Sequence, residues 1–180
     1  MKKLMAMCLV LVMVLSLSAC GKRLEGVNEP VDILNTVWDS YAEDEKFYSV
    51  GGDLSNMVES APGAFDLTDE ESATNQLVCL PEAAKECDKA ASLIHGMNAN
   101  NFTGAAYHIT GSQEAFVKAM EDGIMNNQFI CGFPEKLFIA NLGKEYTVVA
   151  FGAADLLDAF KTKLTEAYGV TEVVIEKSLW

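Results

Sequence analysis

Cys131 sits in the run Phe129-Ile130-Cys131-Gly132-Phe133-Pro134, a thiol held in an aromatic, glycine-containing loop. A thiol reacts as its thiolate, which needs a cation, a metal or a helix N-terminus beside it. The nearest cations in sequence are Lys118 and Lys136, and the run contains no Cys-x-x-Cys. Cys131 therefore reads first as a buried structural cysteine. A reactive thiol, or a ligand- or partner-contact loop made by Cys131, Gly132, Phe133 and Pro134, are the alternatives. Cys79 and Cys87 are spaced to close a small loop, which oxidising surroundings outside the cell would allow. The competing reading makes Cys87 a small hydrophobe on a helix face. His95 and His108 each lack a neighbour at i+2 or i+4 that would complete a metal site. They read as capping or packing side chains, and neither a metal nor a cofactor is expected. The chain has neither Gly-x-Ser-x-Gly nor a glycine-rich phosphate loop, and no acid–base pair stands out among its 26 acidic residues. No catalytic residue is assigned.

The clearest chemistry lies at Cys20. Lys2-Lys3 opens the chain, Leu4 to Leu17 is apolar except for Ser16, and Leu17-Ser18-Ala19-Cys20 closes the segment. A charged start, an apolar stretch and a small-residue cleavage site define an export signal. The run is shorter than the roughly 20 residues a membrane-spanning helix needs. Leu, small, Ala, Cys resembles the lipobox of bacterial lipoproteins. Cleavage between Ala19 and Cys20 is expected, with a diacylglyceryl thioether on Cys20. Two acyl chains suffice for stable anchoring where one does not. Gly21-Lys22-Arg23 would add attraction to an anionic leaflet. The expected location is the extracytoplasmic face of the cell membrane.

The 13 cations less Lys2 and Lys3 leave 11 against 26 acids, a net charge of −15 after cleavage. Nucleic-acid binding calls for a basic face, so no nucleic-acid partner is expected. The expected division is a signal peptide at 1–19, a tether at 20–29 and a single domain at 30–180.

The elements that must position these residues follow from periodicity. Val31, Leu34, Val37, Trp38 and Tyr41 predict a helix over 30–41 opened by Pro30, with Trp38 as a core anchor. Residues 47–65 read as a turn-rich connection. Thr68-Asp69-Glu70-Glu71 is a capping box before a short helix. Ala83, Cys87, Ala90, Ala91 and Ile94 predict a helix over 81–95. Then come a strand at 102–109 and a helix from Ser112 to Asn126, striped by Phe116, Ala119, Met120, Gly123 and Ile124. A hairpin over 136–152, a helix over 154–168 and a strand over 170–176 complete the pattern. Strand, helix, strand, strand, helix, strand is the order of a ferredoxin-like βαββαβ core. Right-handed crossovers in that fold put both helices on one sheet face. The strands are apolar on both sides, so both faces need cover. The expected fold is α+β: a ferredoxin-like core over about 102–176, with the helices at 30–41 and 81–95 packed on it.

Val37-Trp38-Asp39-Ser40-Tyr41, Glu43-Asp44-Glu45-Lys46-Phe47, Ala61-Pro62-Gly63, Met97-Asn98-Ala99-Asn100 and Cys131-Gly132-Phe133-Pro134 resemble segments of a family of surface lipoproteins from anaerobic bacteria. The family is often labelled "bacteriocin transport accessory protein", and the resemblance spans nearly the whole chain. It implies lipidation at Cys20. Thioredoxin-like proteins under the same label use a pair of cysteines, which this chain lacks. The resulting expectation is a non-enzymatic, lipid-anchored extracytoplasmic protein that binds a protein or small-molecule partner at the membrane surface. The alternatives are a thiol-dependent enzyme or redox protein using Cys131 and a solute-binding component of a transporter.

Overall fold

The computed structural model describes residues 24–169 and 172–179. The signal segment, Ala19 and Cys20 lie outside the described residues.

The chain forms a mixed α+β fold around one eight-stranded sheet. Its strands are β1 (Ser49–Gly51), β2 (Val58–Glu59), β3 (Gly63–Phe65), β4 (Cys87–His95), β5 (Phe102–Ile109), β6 (Lys136–Leu142), β7 (Tyr146–Gly152) and β8 (Glu172–Ser178). The helices among the described residues are α1 (Pro30–Asp39), α2 (Glu70–Leu77), α3 (Pro81–Ala84), α4 (Gln113–Asn126) and α5 (Ala154–Tyr168). Strand order is β2-β1-β4-β5-β7-β6-β8, with β3 also on β4, and every pairing is antiparallel.

One element differs in kind from its sequence pattern. The expected helix over 81–95 is a single turn, α3, followed by strand β4. Cys87, Ala90, Ala91 and Ile94 imitate a helical stripe because an inner strand buried on both faces shows no alternation. Ala91 and Leu93 face one core, whereas Ala90 and Ile94 face the other. A register shift between Cys87 and Lys89 further blurs the period of two.

This strand alters the topology. A ferredoxin-like core would place β8 beside β5. Here β4 occupies that edge, and β8 pairs with β6 instead. The connections β5–α4–β6 and β7–α5–β8 each skip one strand in the same lateral direction, but they start from antiparallel strands. Right-handed crossovers then require the two helices on opposite faces, and that is where they lie. Phe116, Met120 and Ile124 of α4 pack on one face with α2 and α3. Leu157, Phe160 and Leu164 of α5 pack on the other with Ile33, Leu34, Val37 and Trp38 of α1. Both faces are covered, as the doubly apolar strands demand. The cover differs from that expected, and the two striped helices do not share a face.

The remaining elements follow their local chemistry. Pro30 opens α1, and Asp32 Oδ2 accepts from the Asn28 and Glu29 amides. Asp69, rather than Thr68, caps α2 by accepting from the Ser72 amide; Thr68 is held by Asp66. Ser112 caps α4. The connection expected over 47–65 contains β1, β2 and β3. Trp38 is 4% exposed and donates its indole N–H to Ser60 O at 3.0 Å, fastening this region to α1. Part of the expected tether is also packed. Val27 is buried, Leu24 lies against the same core, and Tyr146 Oη donates to Asn28 O at 3.3 Å. No helix among the described residues is long and apolar enough to cross a membrane.

Candidate partner-binding site

The structure joins two loops that are far apart in sequence. One is 96–101, between β4 and β5; the other is 127–135, between α4 and β6. Asn98 Nδ2 donates to Cys131 O at 2.8 Å. Asn100 Nδ2 donates to Ile130 O at 2.8 Å and to Gly132 O at 3.0 Å. The Asn98 amide oxygen in turn accepts from the Asn100 backbone N–H at 3.0 Å. Both carboxamides thus act as fixed brackets for the backbone of 130–132.

The bracket is itself supported. His95 Nδ1 accepts from the Met97 and Asn98 amides at 3.2 and 3.3 Å, and its ring stacks on Phe47 with centroids 5.3 Å apart. Thr103 Oγ1 donates to Ala99 O. On the other loop, Phe129 packs its ring against Phe151 at 5.6 Å, and Pro134 is buried. Gly132 has φ +136°, and a Cβ there would come within 2.9 Å of Asn98 Nδ2. Glycine is therefore required by conformation and by the close approach of the bracket.

What this frame holds outward is apolar. Ile130 is 80% exposed, Met97 79% and Phe133 68%. Half-exposed Tyr48 lies over Gly96 beside them. Neither 96–101 nor 127–134 carries a charged side chain, in a chain of which 22% is charged.

The candidate residues fall as follows. Cys131, Gly132, Phe133 and Pro134 lie in this loop, but Cys131 is exposed and has φ +66°. Its reading as a buried structural cysteine is corrected: Pro134 is buried and Phe129 partly so, while Cys131 is exposed. His95 ends a strand rather than the expected helix, and its ring nitrogen caps the 96–98 turn. His108 sits 2.6 Å from Asp88 Oδ1 and against the Tyr146 ring. Cys79 and Cys87 are buried free thiols, not a disulfide, and Cys87 lies on a strand. The Cys79 thiol beside it and burial push the Cys87 thiol well up. Burial, reinforced by the two cysteines, likewise raises the Tyr107 phenol. These groups are held in their neutral forms. Among the described residues no group of three or more His, Cys, Asp or Glu could hold a metal ion.

Nothing in the linear pattern marks Asn98 and Asn100 as brackets or Met97 and Ile130 as displayed. The signal present was the lack of charge over 96–101 and 127–134. A concavity of about 610 Å³ runs between α4 and the α2–α3 segment, over Val78, Leu80, Ala119 and Gly123. On its rim Lys118 and Asp122 pair with each other at 2.6 Å.

The N-terminal segment approaches at the other end of the sheet. Glu29 pairs with Lys89 at 2.7 Å and Asn28 meets Tyr146, near the start of β4 and of β7. The bracketed loops stand beyond the ends of those strands.

Comparison with protein-family models, with curated proteins and with solved structures finds no match.

Proposed function

We propose that this chain is a lipid-anchored extracytoplasmic protein whose work is binding rather than catalysis, with the bracketed loop pair as its contact surface. The supporting observation is the outward display of Met97, Ile130 and Phe133 on a frame fixed by Asn98 and Asn100. Ordering those loops before contact lowers the entropy cost of binding. The anchor rests on Leu17-Ser18-Ala19-Cys20 and on the resemblance to the lipoproteins labelled "bacteriocin transport accessory protein". A role in an envelope or export system fits both.

Fractionation tests the anchor. The wild type is expected in the membrane fraction, with incorporation of labelled fatty acid. Cys20→Ala is expected to lose the label and the stable anchor. Equal labelling and membrane association of both would end the lipid assignment.

The second reading, a thiol-dependent activity, is favoured by the exposure of Cys131. Simple labelling cannot support it, because an exposed thiol is labelled in any case. It requires Cys131 to react faster than an ordinary cysteine at the same pH. A rate equal to that of a model thiol removes it.

A further inference from the structure

We propose that the concavity between α4 and β8 binds a small organic ammonium carrying a neutral carbonyl or hydroxyl acceptor, with the acceptor on Asn141 Nδ2 and the ammonium at Glu114 and Glu172. The site lies at the hairpin end of β6, whereas the bracketed loop 127–135 precedes the start of that strand. It is independent of the loop pair and of the anchor at Cys20.

An amide stands where the sheet pattern calls for an apolar side chain. Leu137 and Ile139 precede Asn141 on the α4 face of β6 and are fully buried. Asn141 continues that row and is itself only 9% exposed. A chain of hydrogen bonds fixes its orientation. The carbonyls of Gly143 and Tyr146 accept from Gln113 Nε2 at 3.2 and 3.1 Å, which settles which end of that carboxamide faces the hairpin. Gln113 Nε2 also donates to Thr147 Oγ1 at 3.1 Å. The Thr147 hydroxyl, occupied as an acceptor, donates to Asn141 Oδ1 at 3.0 Å. Asn141 Nδ2 is left with both its N–H groups, and among the described residues nothing accepts from them. It opens into a concavity of about 500 Å³, a size in the range of small-ligand sites. A donor so deep and without a partner lowers stability in a way that a leucine there would not.

The walls set the rest of the ligand. Val117 of α4 and Val174 of β8 are half-buried and make an apolar middle. At the rim stand the exposed carboxylates of Glu114 and of Glu172, the register partner of Asn141. Among the described residues neither has an ion-pair partner. The other charges around the opening are already matched, Lys118 with Asp122 and Glu121 with Lys177. The arrangement favours an acceptor at the floor, an aliphatic stretch above it and a cation at the mouth. An anion would meet two unpaired carboxylates.

Calorimetric titration of the full chain in phosphatidylcholine nanodiscs tests this, with empty nanodiscs as the blank. The probe is N-acetylcadaverine, an acetamide and an ammonium joined by an aliphatic chain. It should bind saturably at one site. Pentylamine lacks the acceptor and N-pentylacetamide lacks the charge, and each should bind about fivefold more weakly, the worth of one hydrogen bond or of the rim charges. 6-Acetamidohexanoate, with the charge reversed, should not bind. Asn141→Leu should erase the preference for N-acetylcadaverine over pentylamine. Glu114→Gln combined with Glu172→Gln should erase its preference over N-pentylacetamide. Both glutamates are exposed, so that double change leaves the core intact, and circular dichroism checks each variant. No saturable binding in the millimolar range, equal affinity for pentylamine, binding of 6-acetamidohexanoate, or unaltered preferences in the variants would each overturn the proposal.

Discussion

Asp53 illustrates how much one carboxylate can organise. It is 4% exposed, and its oxygens accept from the backbone amides of Ser55, Asn56 and Asp66. Burial opposes its ionisation, but these donors outweigh burial and hold its carboxyl below the ordinary range. A carboxylate with a depressed folded-state pKa stabilises the fold above its unfolded value and loses that contribution as pH falls through the folded one. Thermal melts of wild type and Asp53→Asn should therefore differ at pH 7, begin to approach each other near about pH 4, and meet only below the depressed folded value. Loss of the charged acceptor should cost about 2 kcal/mol at neutral pH. A pH-independent gap would contradict this role. At the same scale, Asn98 and Asn100 show what a linear pattern conceals. A carboxamide that brackets a loop 30 residues away has the same local sequence as one that makes a turn.

The elements were legible where a wet face or a flanking turn marks them. The capped helix α4 and the helix α5 follow their patterns because polar positions mark the period, whereas the hairpin β6–β7, buried on both faces, shows itself by two short Val-, Ile- and Phe-bearing runs joined at the Leu142-Gly143-Lys144 turn. Strand β4 did not, because its inner part is buried on both faces and its alanines, at spacings that mimic a helical stripe, favour the helical reading. That one segment displaced β8 from β5 and sent α4 and α5 to opposite faces, so a local ambiguity became a topological one. The short strands β1 and β3 depend on backbone contact that hydropathy cannot report. A Cβ on Gly63 would stand 2.5 Å from Gly52 N and 2.8 Å from Gly51 C. Gly63→Ala should lower stability by about 3 kcal/mol, at the high end for overpacking, because backbone cannot yield as a side chain does. Gly143, at φ +66° with nothing within 4 Å, offers the contrast. Gly143→Asn should change the melting temperature little, since asparagine tolerates this conformation. Comparable losses in the two variants would show that steric contact is not what fixes β1 against β3.

At the scale of the molecule, the sheet has two unlike ends. The segment leading back to Cys20 packs near the start of β4 and β7, and the neutral bracketed loops crown their far ends. Sequence supplied the two chemical landmarks, Cys20 and the Cys131–Pro134 loop. It could not supply the distance between the sheet's ends, which depends on strands pairing across the chain. The most direct measurement uses Cys131, the exposed thiol among the described residues, with Cys79 and Cys87 buried. An environment-sensitive fluorophore on Cys131 of the lipidated chain, reconstituted in phosphatidylglycerol–phosphatidylethanolamine vesicles, reports where the tip resides. It should be quenched by aqueous iodide as strongly as in the soluble Cys20→Ala protein and be untouched by quenchers within the acyl layer. A blue-shifted probe, shielded from iodide and quenched from within the bilayer, would contradict a molecule anchored at one end and working at the other.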